Sequence, residues 1–378
     1  MDIITQLFQY AKDKNLEALK NNKEKYTALV EEKIKALKEQ GCDINPQDED
    51  TNLTLLHFIV FGVLDNHLLD YFTVSDIKQS AESLLPSAAG GNNLDAVRWL
   101  LDNGINVNEQ DSYGETALHC AVLKGNLNLI NFLLDKNADV NIRNADGETP
   151  LQEIFMTGGR INDDTIIGII KTMIDKGSFV NPVVKSDNKY YFSTLNQAVG
   201  CPFQNEDTRF KAVLLIIGNL KIGWINFKKH IPTLNFLTEE DNIDQLFAQN
   251  EDISLKIAAA RNLHNALNEF NQDNENPKAR EAQEYVFNKL SVLLRHSIAE
   301  NDMKIDAESE LGDVLKALTI DTEIGKRKVE MGEETDSIKK PSVALSTDNQ
   351  EPNTVLPLVT NHDMDLLGDT THADTHNS

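Results

Sequence analysis

The sequence predicts an all-α solenoid, in which helix pairs stack at a fixed spacing between helical caps and a disordered acidic tail follows. Three observations carry this prediction. A block reading Asp111-Ser112-Tyr113-Gly114-Glu115-Thr116-Ala117-Leu118-His119-Cys120-Ala121 is answered by Asp146-Gly147-Glu148-Thr149-Pro150-Leu151, with Gly114 and Gly147 33 positions apart. Upstream, Leu94, Leu100, Leu101 and Asn108 stand 33 positions before Leu127, Leu133, Leu134 and Asn141. Within the unit, Leu127, Ile130, Leu133 and Leu134 form an apolar stripe at helical spacing. One such unit cannot bury its own stripe, so neighbours must stack and the ends need caps.

Taken in order, residues 1–40 read as the N-terminal cap. Leu7, Ala11, Leu16 and Leu19 give its apolar face, and a helix over 27–40 turns Glu31, Glu32, Lys35, Lys38 and Glu39 to water. The repeat array spans 41–226, strongest over 83–181 and irregular at 58–82 and 182–226. Between His57 and Ser83 there are too many residues for an ordinary helix pair. Pro86 stands where His119 stands one unit later, which puts the regularity of that first helix in question. Asp111 to Gly114 make a tight turn suited to glycine, Thr116 caps the next helix, and Pro150 fits a first helical position. Ala121 is small enough for close helix approach, and Gly125 stops the first helix. Ile174-Asp175-Lys176 follows Leu134-Asp135-Lys136 by 40 positions rather than 33, placing surplus residues in a surface loop at 158–165. Residues 227–320 form a helical C-terminal region with stripes at Ile253, Ile257, Ala260, Leu263 and Leu267, at Val286, Leu290, Leu293 and Leu294, and at Leu311, Val314, Leu315 and Leu318. A polar loop at 271–277 splits it. Residues 321–378 lose apolar periodicity and hold no Lys or Arg after Lys340, the composition of a disordered acidic tail.

The repeated block resembles the ankyrin repeat. The signature D-x-x-G-x-T-P-L-H-x-A is met by Asp111, Gly114, Thr116, Leu118, His119 and Ala121, with Ala117 in place of proline. The match is strong over 83–155. Thr54-Leu55-Leu56-His57, after Gly41-Cys42-Asp43-Ile44-Asn45, looks like an earlier unit, and weaker similarity covers 7–19 and 193–226. The resemblance implies a concave surface of hairpin tips and first helices that binds a protein partner. It also implies that His57 and His119 bridge neighbouring loops by hydrogen bonds. Asparagine makes up roughly a tenth of the chain, as an AT-rich genome would produce. Ankyrin proteins of this style are similar to those that intracellular bacteria export into host cells, often with a disordered C-terminal end read by the secretion machinery.

Composition narrows the function classes. With 60 acidic and 36 basic residues the net charge is -24, which repels nucleic acid and anionic lipid. The expected partner is a protein with a basic patch. Three separated cysteines, Cys42, Cys120 and Cys201, with no CxxC pattern suit a reducing compartment. No secretory leader and no membrane span are expected, because the greasiest run, 53–64, is too short. The expected localisation is cytoplasmic, or inside a host cell after export.

No residue set calls for catalysis, a cofactor or a metal. His57 and His119 are read as structural, and Cys120 and Cys42 as small buried hydrophobes. Gly218 and Gly223 have phosphate-loop spacing, but Trp224-Ile225 replaces the Lys-Ser/Thr that would hold phosphate and magnesium. His372 and His376 lack the glutamate of H-E-x-x-H, and Lys326-Arg327-Lys328 is a short solvated cluster. The expected partner-binding residues are Tyr113, Glu115, Arg143, Asp146 and Glu148 on the hairpin tips, with Tyr190 and Tyr191 on a further one, the alternative for these two being burial within the irregular repeat. The alternative reading is a multi-domain enzyme or scaffold whose array targets the helical region at 227–320.

Overall fold

The computed structural model describes residues 2–13, 15–79, 83–157, 159–180, 183–185, 191–220, 231–239, 241–248, 252–273 and 277–301. The tail at 321–378, the last expected stripe at Leu311 to Leu318, Lys326-Arg327-Lys328 and the pair His372 and His376 lie outside these residues. Among the described residues the regular structure is helical, apart from two three-residue strands and isolated bridges in the hairpins. It divides into two compact units between residues 184 and 185.

The first unit opens with α1 (Ile3–Lys12), α2 (Leu16–Lys20) and α3 (Lys23–Glu39). Ile4, Leu7, Phe8 and Ala11 bury one face of α1, and Tyr26, Thr27, Val30 and Ile34 one face of α3. Glu32, Lys35, Lys38 and Glu39 stay exposed, the polar face that an end cap requires. Glu31 is half-buried: it pairs with Lys35 at 2.8 Å and accepts a hydrogen bond from the Tyr71 hydroxyl at 2.9 Å. The helix therefore starts at Lys23, a turn before the expected residue 27.

The array follows as α4 (Leu55–Val60), the 3-10 turn Asn66–Tyr71 and α5 (Val74–Gln79), then α6 (Leu84–Gly90) with α7 (Leu94–Asp102). Next come α8 (Ala117–Leu123) with α9 (Leu127–Asp135), and α10 (Pro150–Glu153), continued by the 3-10 turn Ile154–Thr157, with α11 (Asp163–Asp175). The first helices α4, α6, α8 and α10 pack successively against one another, and α7, α9 and α11 each pack on their own first helix. An asparagine caps each second helix: Asn93, Asn126 and Asn162 Oδ1 accept from Ala96, Leu129 and Thr165 N–H at 3.2, 3.0 and 2.8 Å.

The irregularities have local causes. In the first unit of the array the 3-10 turn Asn66–Tyr71 takes the place of a second helix, burying Leu68 and Leu69 against α4, α7 and α3. Helix α6 is regular despite Pro86, contrary to expectation. Proline is its third residue, where the N–H has no intrahelical acceptor to lose. The surplus in the last unit was expected in a loop at 158–165. Part of it instead lengthens α11, which has 13 residues against 9 in α9.

Strands β1 (Val183–Lys185) and β2 (Tyr191–Ser193) mark the passage to the second unit. That unit holds α12 (Thr194–Gly200), α13 (Glu206–Gly218), α14 (Ile231–Leu237), α15 (Asn242–Ala248), α16 (Ile253–Asp273) and α17 (Pro277–Asn301). Helices α12 and α13 form one more pair, and Ser193 Oγ caps the first by accepting from Asn196 N–H at 3.1 Å. Helix α16 packs on α13 and α17 through Ile257, Ala260, Leu263 and Leu267, with Val286 facing from α17. Asn262, buried there, donates to the Ile217 and Leu220 carbonyls at 2.8 and 2.9 Å, satisfying the end of α13. The expected loop at 271–277 is shorter than read, because α16 continues to Asp273.

Candidate functional site

Three hairpins precede α4, α8 and α10. Bridges Gln47–Thr54 and Gln110–Thr116 close the first two, and Asn144 N–H donates to the Glu148 carbonyl at 2.9 Å in the third. An acceptor side chain organises each tip. Asp48 Oδ2 accepts from Thr51 N–H and hydroxyl at 3.0 and 2.8 Å. Asp111 Oδ1 accepts from Tyr113 and Glu115 N–H, both at 2.9 Å. Asn144 Oδ1 accepts from Glu148 N–H at 2.9 Å. The second and third tips are also joined: Ala145 N–H donates to the Tyr113 carbonyl at 2.8 Å, and Gln110 Nε2 to the Arg143 carbonyl at 3.0 Å. Gly114 makes this approach possible. Its φ is +73°, and a Cβ there would lie 2.7 Å from Ala145 N.

Below the tips, the histidine position locks each hairpin to its helix. Thr116 N–H donates to His119 Nδ1 at 3.1 Å, which leaves the proton on Nε2 to face the Glu148 carbonyl of the next unit at 3.3 Å. Burial lowers the pKa of this imidazole and keeps it neutral. His57 receives Thr54 N–H in the same way at 2.9 Å. His119 thus bridges to the neighbouring loop, as the resemblance implied, and His57 makes the corresponding bond within its own hairpin. In the last unit Gln152 takes over, its Oε1 accepting from Thr149 N–H at 3.2 Å. A second ladder stitches the loops on the far side. Asn108 Oδ1 accepts from Asp139 N–H at 2.8 Å, and Asn141 Oδ1 from Phe179 N–H at 2.6 Å. The 33-residue recurrence of these asparagines was visible in the sequence, but nothing there told packing from stitching.

The structure separates the expected contact residues. Tyr113 is 38% exposed on its tip, and Arg143 and Asp146 are exposed on the next, with Arg143 Nη1 donating to the Gly147 carbonyl at 2.6 Å. Glu148 is half-buried and contributes its carbonyl to His119. Glu115 does not belong to this surface. It is only 3% exposed, folded under its own hairpin, where Oε2 accepts from Cys120 Sγ at 3.4 Å. Glu153, equally buried, accepts from Asn144 Nδ2 at 2.8 Å through Oε1. Tyr190 lies outside the described residues, and for Tyr191 only the backbone, in β2, is described.

The thiols differ from one another. Cys120 is buried, and burial, with Glu115 next, pushes its pKa well up, which disfavours the thiolate. Cys42, expected to be buried in an alanine position, is exposed: it follows Gly41, φ +67°, in the open turn after α3. Among the described residues no cluster of three or more His, Cys, Asp or Glu side chains could hold a metal ion, and no helix is long and apolar enough to cross a membrane. Gly218 ends α13, and residues 221–225, with Gly223 and Trp224-Ile225, lie outside the described residues.

Comparison with known proteins agrees with this geometry. Residues 85–134 match a family model described as ankyrin repeats (many copies). They cover α6 to α9 and the hairpin between them. No curated protein matches the chain.

Proposed function

We propose that this chain, an ankyrin-repeat protein, acts without catalysis by docking a partner protein on the row of hairpin tips. Ankyrin repeats are protein-interaction modules, and this array meets the physical demand of one. One observation carries the reading. The second and third tips are hydrogen-bonded into a rigid row that turns Tyr113, Arg143 and Asp146 outward while the helices below keep the core to themselves. Side chains that do not pack the core are free to specify a partner, and tyrosine and arginine give most per residue in such contacts. The chain's charge of -24 favours a partner with a basic patch. With the asparagine-rich composition, the proposal extends to a cytoplasmic protein that is exported to act on a host protein.

The test is capture from a cell extract on immobilised intact chain, with bound proteins identified by mass spectrometry. Tyr113→Ala combined with Arg143→Ala is expected to release a specifically captured protein while leaving helix content unchanged. Full retention by the folded double variant would sink the reading. The export arm is tested by a translocation assay on a chain lacking residues after Asp321, and unchanged export removes the tail from the proposal.

A further inference from the structure

The N-terminal helix is fastened to the first hairpin and its helix at two points. Phe8 of α1 meets Phe58 of α4 edge-on with ring centroids 5.7 Å apart, and both rings are buried. At the last residue of α1, Lys12 Nζ lies 3.0 Å from Asp48 Oδ1 and 2.7 Å from Asp50 Oδ2. These carboxylates stand on the first hairpin tip. The Gln47–Thr54 and Gln110–Thr116 bridges are equivalent, which makes Asp48 the counterpart of Asp111. Asp48 is committed on both oxygens, since Oδ2 already holds Thr51. Its side chain is 13% exposed, against 76% for Asp50. Lys12 also sits at the helix end where the backbone dipole favours a cation.

We infer that α1 is an intramolecular occupant of the first tip: Lys12 holds the place that a lysine or arginine of the partner would take, so open docking begins at the second and third tips. The inference deepens the proposed docking function and rests on it. The two anchoring contacts differ in kind. The aromatic contact is dry and stays, whereas the ion pair is partly exposed, screened by salt and weak, hence open to exchange with an incoming cation. A partner carrying a basic side chain can take over Asp50 and Asp48 and extend its footprint by one tip, and a partner lacking one is confined to the other two.

The experiment uses the intact chain and a fluorescent octalysine peptide at low salt. Lys12→Met is compared with Lys20→Met, a charge-matched control whose lysine pairs with Glu17 within its own helix at 3.3 Å. Lys12→Met is expected to bind the peptide about threefold tighter than the control. Adding Asp48→Asn and Asp50→Asn should remove that gain. Equal affinities for the two methionine variants overturn the inference. A measurement on the unaltered chain stands beside it in case Lys12→Met fails to fold. Zero-length carbodiimide treatment should join Lys12 to Asp48 or Asp50, and saturating octalysine should suppress that cross-link. Absence of the link, or its persistence under peptide, overturns the inference. Failure of the docking function itself shows elsewhere, as retention of a captured protein by the Tyr113 and Arg143 variant.

Discussion

His119 joins three pieces of backbone with one ring, so its protonation state matters to stability. Burial lowers its pKa from the ordinary 6.5, so the folded chain keeps it neutral while the unfolded chain takes up a proton below that value. The unfolded state then binds more protons, and stability falls with pH between 6.5 and the lowered folded value. His119→Gln, which copies Gln152, keeps an acceptor for Thr116 N–H but loses the contact to Glu148, at a cost of about 1 kcal/mol near neutrality. The variant should show a smaller loss of stability between pH 7.5 and 5.5 than the unaltered chain in paired urea titrations. Equal losses would sink this account. The comparison has to be made between paired chains, because His67, raised by its hydrogen bond to Asp65, shifts in the opposite sense. A second residue-scale outcome concerns the thiols. Under native conditions Ellman's reagent should titrate Cys42 rapidly and leave the buried Cys120 and Cys201 until denaturant is added. The role of His119 was legible because its position recurs, whereas the burial of Glu115 was not. Nothing in Gly-Glu-Thr tells an outward carboxylate from one folded back toward a thiol five residues on.

At the scale of the elements, the joints between repeats are held by glycines that differ in what they supply. Gly104 has a φ of +85° with open space around it, so Gly104→Ala costs only the left-handed backbone, about 1 kcal/mol. Gly91 has an ordinary φ of -74°, but a Cβ there would lie 2.4 Å from the Phe61 carbonyl oxygen. Gly91→Ala must push the first two repeats apart, costing roughly 1–3 kcal/mol. Gly114 combines both demands and should be the most costly of the three. Urea midpoints of the alanine variants give the order, and a Gly114→Ala midpoint above that of Gly104→Ala would contradict it. The helix pairs were readable from spacing, because the period of the repeat and the period of the helix point to the same faces. The replacement of a second helix by the turn at Asn66–Tyr71 was not readable in detail, nor was the lengthening of α11. Both are decided by what the neighbouring repeat leaves to be filled, which local pattern does not carry.

At the scale of the molecule, the contacts divide the chain between residues 184 and 185, whereas the repeat signature fades later, near 226. The two describe different things: a signature marks shared ancestry of pattern, and a division of contacts marks where one core ends. In the first unit buried side chains run without a break through the cap and all four repeats, from Leu7 and Ile34 through Leu56, Leu85, Leu118 and Leu151 to Ile170. Each repeat in such a stack is stabilised by its own helices and by its neighbours, so an array with its cap in place meets the condition for folding by itself. A fragment of residues 1–184 is therefore expected to keep its helix content and to unfold in urea as a single cooperative transition. Removing residues 1–40 from that fragment exposes the apolar faces of α4 and its neighbours. The shorter piece should lose cooperativity or associate, measured by circular dichroism and light scattering. If the fragment of 1–184 has no cooperative transition, the array depends on more than its own repeats and cap. If the capless piece unfolds as sharply as the capped one, α1 to α3 are not the closing layer that their buried faces indicate.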